Sequence, residues 1–70
     1  MPEMVPVVSS NIAAAGYDAE MRELTVEFKS GSTYTYTGID QAAYDDLLGA
    51  ASVGQHFNRW IKNTYPARRG

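Results

Sequence analysis

Residues 23–37 of this 70-residue chain, ELTVEFKSGSTYTYT, predict a β-hairpin, which is the clearest element in the sequence. Leu24, Val26 and Phe28 alternate with polar residues, which is the period-two pattern of a strand with one apolar face. A short turn segment containing Gly31 follows, and the alternating run TYTYT at residues 33–37 predicts the second strand.

The length of the turn decides which face Tyr34 and Tyr36 occupy, because a shift of one residue exchanges the two faces of a strand. A two-residue loop would put both tyrosines on the polar face, where they could stack on bases. A three-residue loop that ends at Gly31 pairs Val26 with Tyr34 and Leu24 with Tyr36, on the apolar face. Because glycine suits the left-handed third position of such a loop, we predict this register and a core role, with base stacking as the alternative.

The residues before the hairpin predict an extended arm and one further strand. Pro2 and Pro6 disfavour a helix over residues 1–8. The run SSNIAAAGY, residues 9–17, is bounded by turn-forming residues and predicts a strand. Ser9, Ser10 and Asn11 are expected to cap the start of this strand, with phosphate or partner binding as the alternative. Tyr17 and Asp18 are expected to build the turn that follows it.

Two helices are predicted to follow the hairpin. Asp40 is a good N-cap for the first, because its carboxylate can accept a bond from a free amide of the first turn. Ser52 and Gln55 form the S-x-x-Q capping box of the second, which ends before Pro66. Apolar residues recur at helical spacing and are expected to face the sheet: Ala43, Tyr44, Leu47, Leu48, Ala51, Val53, Phe57, Trp60 and Ile61.

These elements predict one α+β domain with the order β-β-β-α-α. It is a three-stranded antiparallel sheet with two C-terminal helices packed on one face. The domain spans residues 9–65, between the arm 1–8 and a basic tail, 66–70. An unpaired strand edge near the arm is a candidate for pairing with another chain, including a second copy that would give a homo-oligomer.

The composition excludes several kinds of site. The chain has no cysteine and one histidine, His56, so we expect no disulfide and no metal site. It contains no Ser-His-Asp arrangement, no glycine-rich phosphate loop and no carboxylate pair suited to catalysis, so we expect no catalytic residues, no cofactor and no enzyme. No signal peptide or membrane-spanning stretch is visible, and we expect a cytoplasmic protein with no membrane partner.

The charges are distributed unevenly along the chain. Residues 1–46 carry two basic and eight acidic residues, a net charge of −6, whereas residues 47–70 carry four basic residues and no acidic one. Cations can bind phosphates, and amide side chains can contact base edges. The basic and amide residues of this end of the chain therefore form a candidate nucleic-acid-binding surface: Gln55, Asn58, Arg59, Lys62, Asn63, Arg68 and Arg69. The alternative is a solvated helix face. Trp60 is either a core residue, as its spacing from Phe57 favours, or a base-stacking one.

Several short motifs in this order resemble those of the KTSC domain: SSNI, GYD, LTVEF, SGxxYTY, AxSxG and FNxxIKxxY. The resemblance runs from about Ser9 to Tyr65. It departs from the family pattern at Asp40, where a proline is expected, and at His56, where an aromatic residue is expected. The resemblance implies a small domain that occurs at the C-terminus of some lysyl-tRNA synthetases and as free-standing bacterial or phage proteins.

Two functions follow as hypotheses. The first is an accessory RNA-binding module that uses the second helix and the basic tail, which the charge distribution and the resemblance both favour. The second is a protein-interaction module, encoded by a phage or mobile element and acting on a host protein. The acidic residues of the first two thirds favour it, because they would repel nucleic acid.

Overall fold

The computed structural model describes residues 3–69, so Met1, Pro2 and Gly70, which belong to the predicted arm and tail, lie outside the described residues. The strands form one antiparallel sheet in the spatial order β1-β2-β3-β4-β5. The elements along the chain are β1 (Val5–Pro6), β2 (Ile12–Asp18), β3 (Glu23–Phe28), β4 (Thr33–Thr37), α1 (Gln41–Gly49), α2 (Val53–His56), a π-helical turn (Phe57–Ile61) that continues α2, and β5 (Ala67–Arg69).

The hairpin has the predicted three-residue loop. Val26 pairs with Tyr34 and Leu24 pairs with Tyr36, so both tyrosines share the face of the apolar residues. Gly31 has a φ of 99°, a left-handed conformation that glycine adopts without a steric penalty. Its N–H donates to the carbonyl of Phe28 at 2.9 Å and closes the loop. The register prediction is therefore confirmed.

The strand predicted before the hairpin is also present, as β2. Its pairing with β3 shifts between Ile12 and Ala14, which is a β-bulge. The Asp18 side chain accepts hydrogen bonds from two backbone N–H groups of the following turn, at 3.1 and 3.2 Å. The Tyr17 ring stacks on Tyr44 at 5.1 Å between centroids, and its hydroxyl donates to the carbonyl of Ile39. Asp18 thus builds the turn, whereas Tyr17 ties the sheet to α1.

The prediction of a three-stranded sheet ending in two helices is wrong, because over residues 3–69 the sheet has five strands and the last element is a strand. The arm contributes β1, where Val5 pairs with Ala15, and the end of the chain contributes β5, where Ala67 pairs with Tyr36. Both added strands are short and exposed, and they join the sheet through backbone hydrogen bonds. Because strands of this kind bury few side chains, they leave no alternation of apolar residues in the sequence.

The core lies between one face of the sheet and the two helices, as predicted. Asp40 caps α1 by accepting from the N–H of Ala43 at 2.9 Å, and Ser52 caps α2 by accepting from Gln55 at 3.4 Å. Along the described residues, no helix is both long enough and apolar enough to cross a bilayer. The buried apolar residues of the core cluster are Ile12, Ala15, Leu24, Val26, Tyr36, Ile39, Leu47, Val53, Phe57 and Ile61.

Candidate nucleic-acid interface

The second helix, formed by α2 and the π-helical turn, has one buried and one exposed side. The buried side carries Gly54 and three residues of the core cluster, Val53, Phe57 and Ile61. The exposed residues of the helix and of the two positions after it are named the basic helix surface; they are Gln55, Asn58, Arg59, Trp60, Lys62 and Asn63. The structure therefore places the first five predicted nucleic-acid-binding residues on one solvent-exposed element.

The core position favoured for Trp60 is wrong, because 55% of this residue is exposed. The N–H of Lys62 donates to the carbonyl of Phe57 at 2.9 Å, five residues back, which defines a π-helical turn. A π-helical turn is wider than an α-helical one and advances less around the axis with each residue. Phe57 and Ile61 consequently both face the core, and Trp60 is turned further out than an α-helix would place it.

The exposed indole is accompanied by two basic or aromatic neighbours. The guanidinium carbon of Arg59 lies 5.3 Å from the centroid of the Trp60 ring, within the range of a cation–π interaction. The His56 ring lies 6.4 Å away at an angle of 45°. Further along, the side chain of Asn63 donates to the carbonyl of Asn58 at 3.4 Å and holds the end of the helix. The surface therefore combines a flat aromatic ring with fixed positive charge.

Arg68 and Arg69, which the sequence groups as one basic tail, are separated by the register of β5. Arg69 pairs with Tyr34 and Arg68 with Thr35, and neighbouring strand residues point to opposite faces of the sheet. Arg68 forms a two-point ion pair with Glu23, at 3.0 and 3.3 Å. This hydrogen bonding and the carboxylate charge raise the pKa of Arg68 above its ordinary value. The positive charge of Arg68 is therefore already matched by Glu23, whereas Arg69 shares the face of Tyr34.

The two tyrosines of β4 differ in exposure. Tyr36 is 5% exposed and packs edge-on against Phe57, with centroids 5.2 Å apart, so its core role is confirmed. Burial, and to a smaller extent the neighbouring Tyr34, raise the pKa of Tyr36 above its ordinary value. Tyr34 is half-buried and meets Phe28 edge-on at 5.9 Å. Tyr34 thus keeps some accessible ring surface, and Tyr36 keeps almost none.

The Ser9-Ser10-Asn11 segment forms a tight turn against the second helix. The Ser9 hydroxyl accepts from the N–H groups of Asn11 and Ile12, both at 3.3 Å, and donates to the Asn11 side chain at 3.0 Å. A Cβ atom on Gly54 would lie 2.9 Å from the side-chain oxygens of both Ser9 and Asn11. The Ser9 side chain therefore caps the start of β2, as predicted for this segment, and Gly54 allows the helix to approach Ser9 and Asn11.

A groove lies between α1 and the second helix, and the sequence did not indicate it. It is open to solvent, has a volume of about 610 Å³, and is named the Trp60 groove. Trp60 and Ile61 give it apolar surface, and its other lining residues include Asp46, His56, Thr64 and Tyr65. Nothing in the spacing of the sequence links Asp46 of α1 to Thr64 and Tyr65, which follow the second helix.

Metal binding has no support in the arrangement of side chains. Within residues 3–69, no three His, Cys, Asp or Glu side chains are grouped so that they could hold a metal ion.

Comparison with known proteins gives the family of this chain. The model of the KTSC domain matches residues 8–65. A protein of Tsukamurella paurometabola is 42% identical over 64 residues, covering 91% of this chain and 96% of that protein. A lysine–tRNA ligase of Nostoc punctiforme is 41% identical over 56 residues, which cover 80% of this chain but 10% of the ligase.

A solved structure agrees with this assignment. The crystal structure of a KTSC domain protein from Yersinia pestis has a TM-score of 0.93 and 34% sequence identity, and the match covers 100% of this chain and 99% of that one. The order and spacing of the motifs, the family match and the shared fold lead to one conclusion: this chain belongs to the KTSC domain family.

Proposed function

We propose that this chain is a non-enzymatic module that binds single-stranded RNA through the basic helix surface. The observation that carries the proposal is the exposed indole of Trp60 with the Arg59 guanidinium 5.3 Å from its centroid. Aromatic rings on a positively charged surface stack on unpaired bases, because every base has a flat face. Without a bound partner, the indole of Trp60, a residue that is 55% exposed, leaves apolar surface in water. A base that covers this surface would gain the free energy of its burial.

The charges around Trp60 support the same function. Arg59 and Lys62 can bind backbone phosphates, while the amides of Gln55, Asn58 and Asn63 can donate to and accept from base edges. With about two or three phosphate contacts, the affinity for a single strand should fall roughly tenfold when salt rises from about 50 to 200 mM. The acidic residues of the rest of the chain make strong non-specific binding less favourable.

The relatives add an independent reason. Domains similar to this one occur within lysine–tRNA ligases, and those enzymes act on an RNA substrate. This chain matches only about a tenth of such a ligase, so the ligase reaction itself is not assigned to it. An accessory contribution to RNA binding is the property that a domain of this size could supply in both settings.

The test is an anisotropy titration of a labelled single-stranded RNA and of tRNA, at low and at moderate salt. We expect salt-sensitive binding that the double variant Arg59→Ala/Lys62→Ala lowers at least tenfold. The matched control is Arg22→Ala/Lys29→Ala, which removes the same charge from two exposed turns and should retain most of the affinity. Equal binding by the parent and the Arg59/Lys62 variant would refute the proposal.

A second candidate function, binding to another protein, is favoured by an apolar groove elsewhere. This groove, of about 360 Å³, lies between the N-terminal arm and the α1–α2 connection, and Val5, Val8, Leu48 and Val53 are among its lining residues. Val8 is 98% exposed, so its apolar side chain at this groove is accessible to a partner. Pull-down with parent and Val8→Glu protein, together with sedimentation velocity, tests it. The proposal would be contradicted if the parent protein were strictly monomeric and captured the same proteins as Val8→Glu.

A further inference from the structure

We infer that the Trp60 groove receives one base of the bound RNA and selects guanine. This inference rests on the proposed function, and it adds base specificity and a residue, Asp46, that the basic helix surface does not include. Three features of the groove support it: the exposed aromatic surface of Trp60, an unengaged carboxylate on the α1 side, and positive charge outside the groove.

The aromatic surface is provided by Trp60. The guanidinium of Arg59 lies over the indole, and Arg59 is not among the residues that line the groove. Ile61, which is buried beneath, gives the groove an apolar floor. A base that enters between the two helices can therefore stack on the indole while its edge points toward α1.

The carboxylate at that edge belongs to Asp46. The other two aspartates of this region are engaged, since Asp40 caps α1 and Asp45 accepts from the Gln41 side chain at 3.1 Å. Among residues 3–69, no side-chain hydrogen bond or ion pair engages Asp46, although it lines the groove. Two oxygens of a carboxylate match two adjacent N–H donors.

Guanine is the base that presents this pair of donors, on N1 and N2 of its Watson–Crick edge. Adenine and cytosine each place a ring-nitrogen acceptor beside their amino group, and uracil flanks its one N–H with two carbonyls. A carboxylate would repel these acceptors. Asp46 also repels phosphates, so the backbone of the bound strand should lie along Arg59 and Lys62 and only a base should enter the groove.

A positively charged side chain of a protein could also meet an indole and a carboxylate. The two nearby cations disfavour this occupant, because Arg59 already lies over the indole and Lys62 follows on the same helix. A neutral base avoids this repulsion and still uses both groups.

Trp60 is the only tryptophan of the chain, so its fluorescence reports on the groove directly. The probes are oligouridylate nonamers that carry guanosine, adenosine, cytidine or uridine at the central position. We expect the guanosine oligomer to quench Trp60 and to bind about tenfold more tightly than the adenosine one. In Asp46→Asn this ratio of affinities should fall to about twofold, whereas the neighbouring control Asp45→Asn should keep it.

The outcomes separate this inference from the function on which it rests. Binding of all four nonamers with equal affinity, unchanged in ratio by Asp46→Asn, would overturn guanine selection and leave RNA binding intact. Failure of every nonamer and of tRNA to bind at low salt would overturn both. If a lysine-rich peptide quenched Trp60 while no RNA did, and the quenching were lost in Asp46→Asn, the inference would be overturned. The occupant of the groove would then be a cationic protein side chain.

Discussion

Gly16 shows at the scale of one residue how closely the N-terminal arm lies against the sheet. A Cβ atom at this position would stand 2.8 Å from the carbonyl oxygen of Glu3 and 2.8 Å from the sulfur of Met4. One of these neighbours is backbone, which cannot move aside without displacing the arm. The glycine of the GYD motif therefore permits the pairing of β1 with β2.

We predict that Gly16→Ala destabilises the protein by about 1–3 kcal/mol, because the added methyl group overpacks the contact with the arm. Urea denaturation followed by circular dichroism measures the change. Gly49→Ala is the control, since among residues 3–69 no atom beyond its chain neighbours and its own helix backbone would lie within 4 Å of the added Cβ. A Gly16→Ala protein as stable as the parent would show that the arm does not pack there.

Tyr36 leads to a prediction on alkaline stability. Burial, with a smaller effect of Tyr34, raises the pKa of its hydroxyl above the ordinary value of 10.0. The unfolded chain ionises first, so the free energy of unfolding is intact below pH 10 and falls as the pH rises toward the folded pKa. The fall is at most about 1.4 kcal/mol per pH unit for this one group.

Tyr36→Phe should therefore show a smaller loss of stability than the parent between pH 8 and pH 11, measured by urea denaturation. Some loss should persist in the variant, because burial, followed by the charges of Asp45 and Glu3, also raises the pKa of Tyr44. Identical pH profiles for parent and variant would contradict this role of Tyr36.

At the scale of elements, β5 fixes the positions of the two basic residues at the end of the chain, Arg68 and Arg69. Its pairing with β4 covers the strand edge that carries Tyr34 and Tyr36 and places Arg68 and Arg69 on opposite faces. The connection to it is held by a hydrogen bond from Thr37 N–H to the Pro66 carbonyl at 3.1 Å. The end of the chain is thus part of the sheet, and only one of its two arginines lies on the face where the helices pack.

Removal of β5, by ending the chain at Pro66, should lower the free energy of unfolding by about 1–3 kcal/mol through the loss of two or three backbone hydrogen bonds. It should also cause concentration-dependent association, because the edge of β4 becomes free to pair. Urea denaturation and sedimentation velocity measure the two effects. Arg68→Ala/Arg69→Ala keeps the backbone pairing and should stay monomeric wherever the parent does; equal behaviour of the two variants would contradict the prediction.

At the scale of the whole molecule, the core of so small a domain depends on few side chains. Phe57 is 1% exposed and packs edge-on against both Phe28 and Tyr36, at 5.7 and 5.2 Å. Seventy residues correspond to a total stability of roughly 4–10 kcal/mol. A single aromatic residue at the junction of helix and sheet therefore accounts for much of the folding free energy.

We predict that Phe57→Ala costs about 3–5 kcal/mol and leaves a large fraction of the chain unfolded at 37 °C. Trp60→Ala, three positions away on the same helix, should cost less than about 1 kcal/mol because the indole is exposed. Thermal melts followed by circular dichroism compare the two. Equal losses would mean that Trp60 is a core residue after all.

The features that depend on neighbouring residues could be predicted from the sequence. Gly31 set the register of the hairpin, Asp40 and Ser52 set the starts of the helices, and alternation set β3 and β4, because each acts through residues a few positions away. The candidate residues of the second helix were found for the same reason, since helical spacing separates its charged side from its apolar side.

Tertiary structure decided the rest. The strands β1 and β5 form through backbone pairing with β2 and β4, the π-helical turn exposes Trp60, and the groove is lined both by Asp46 of α1 and by Thr64, which follows the second helix. The strand β5 and the groove bring together residues that are far apart in the chain, and β1 and the π-helical turn form where no residue pattern marks them. The side chains of the residues involved gain little burial, so these features leave no apolar pattern in the sequence from which they could be predicted.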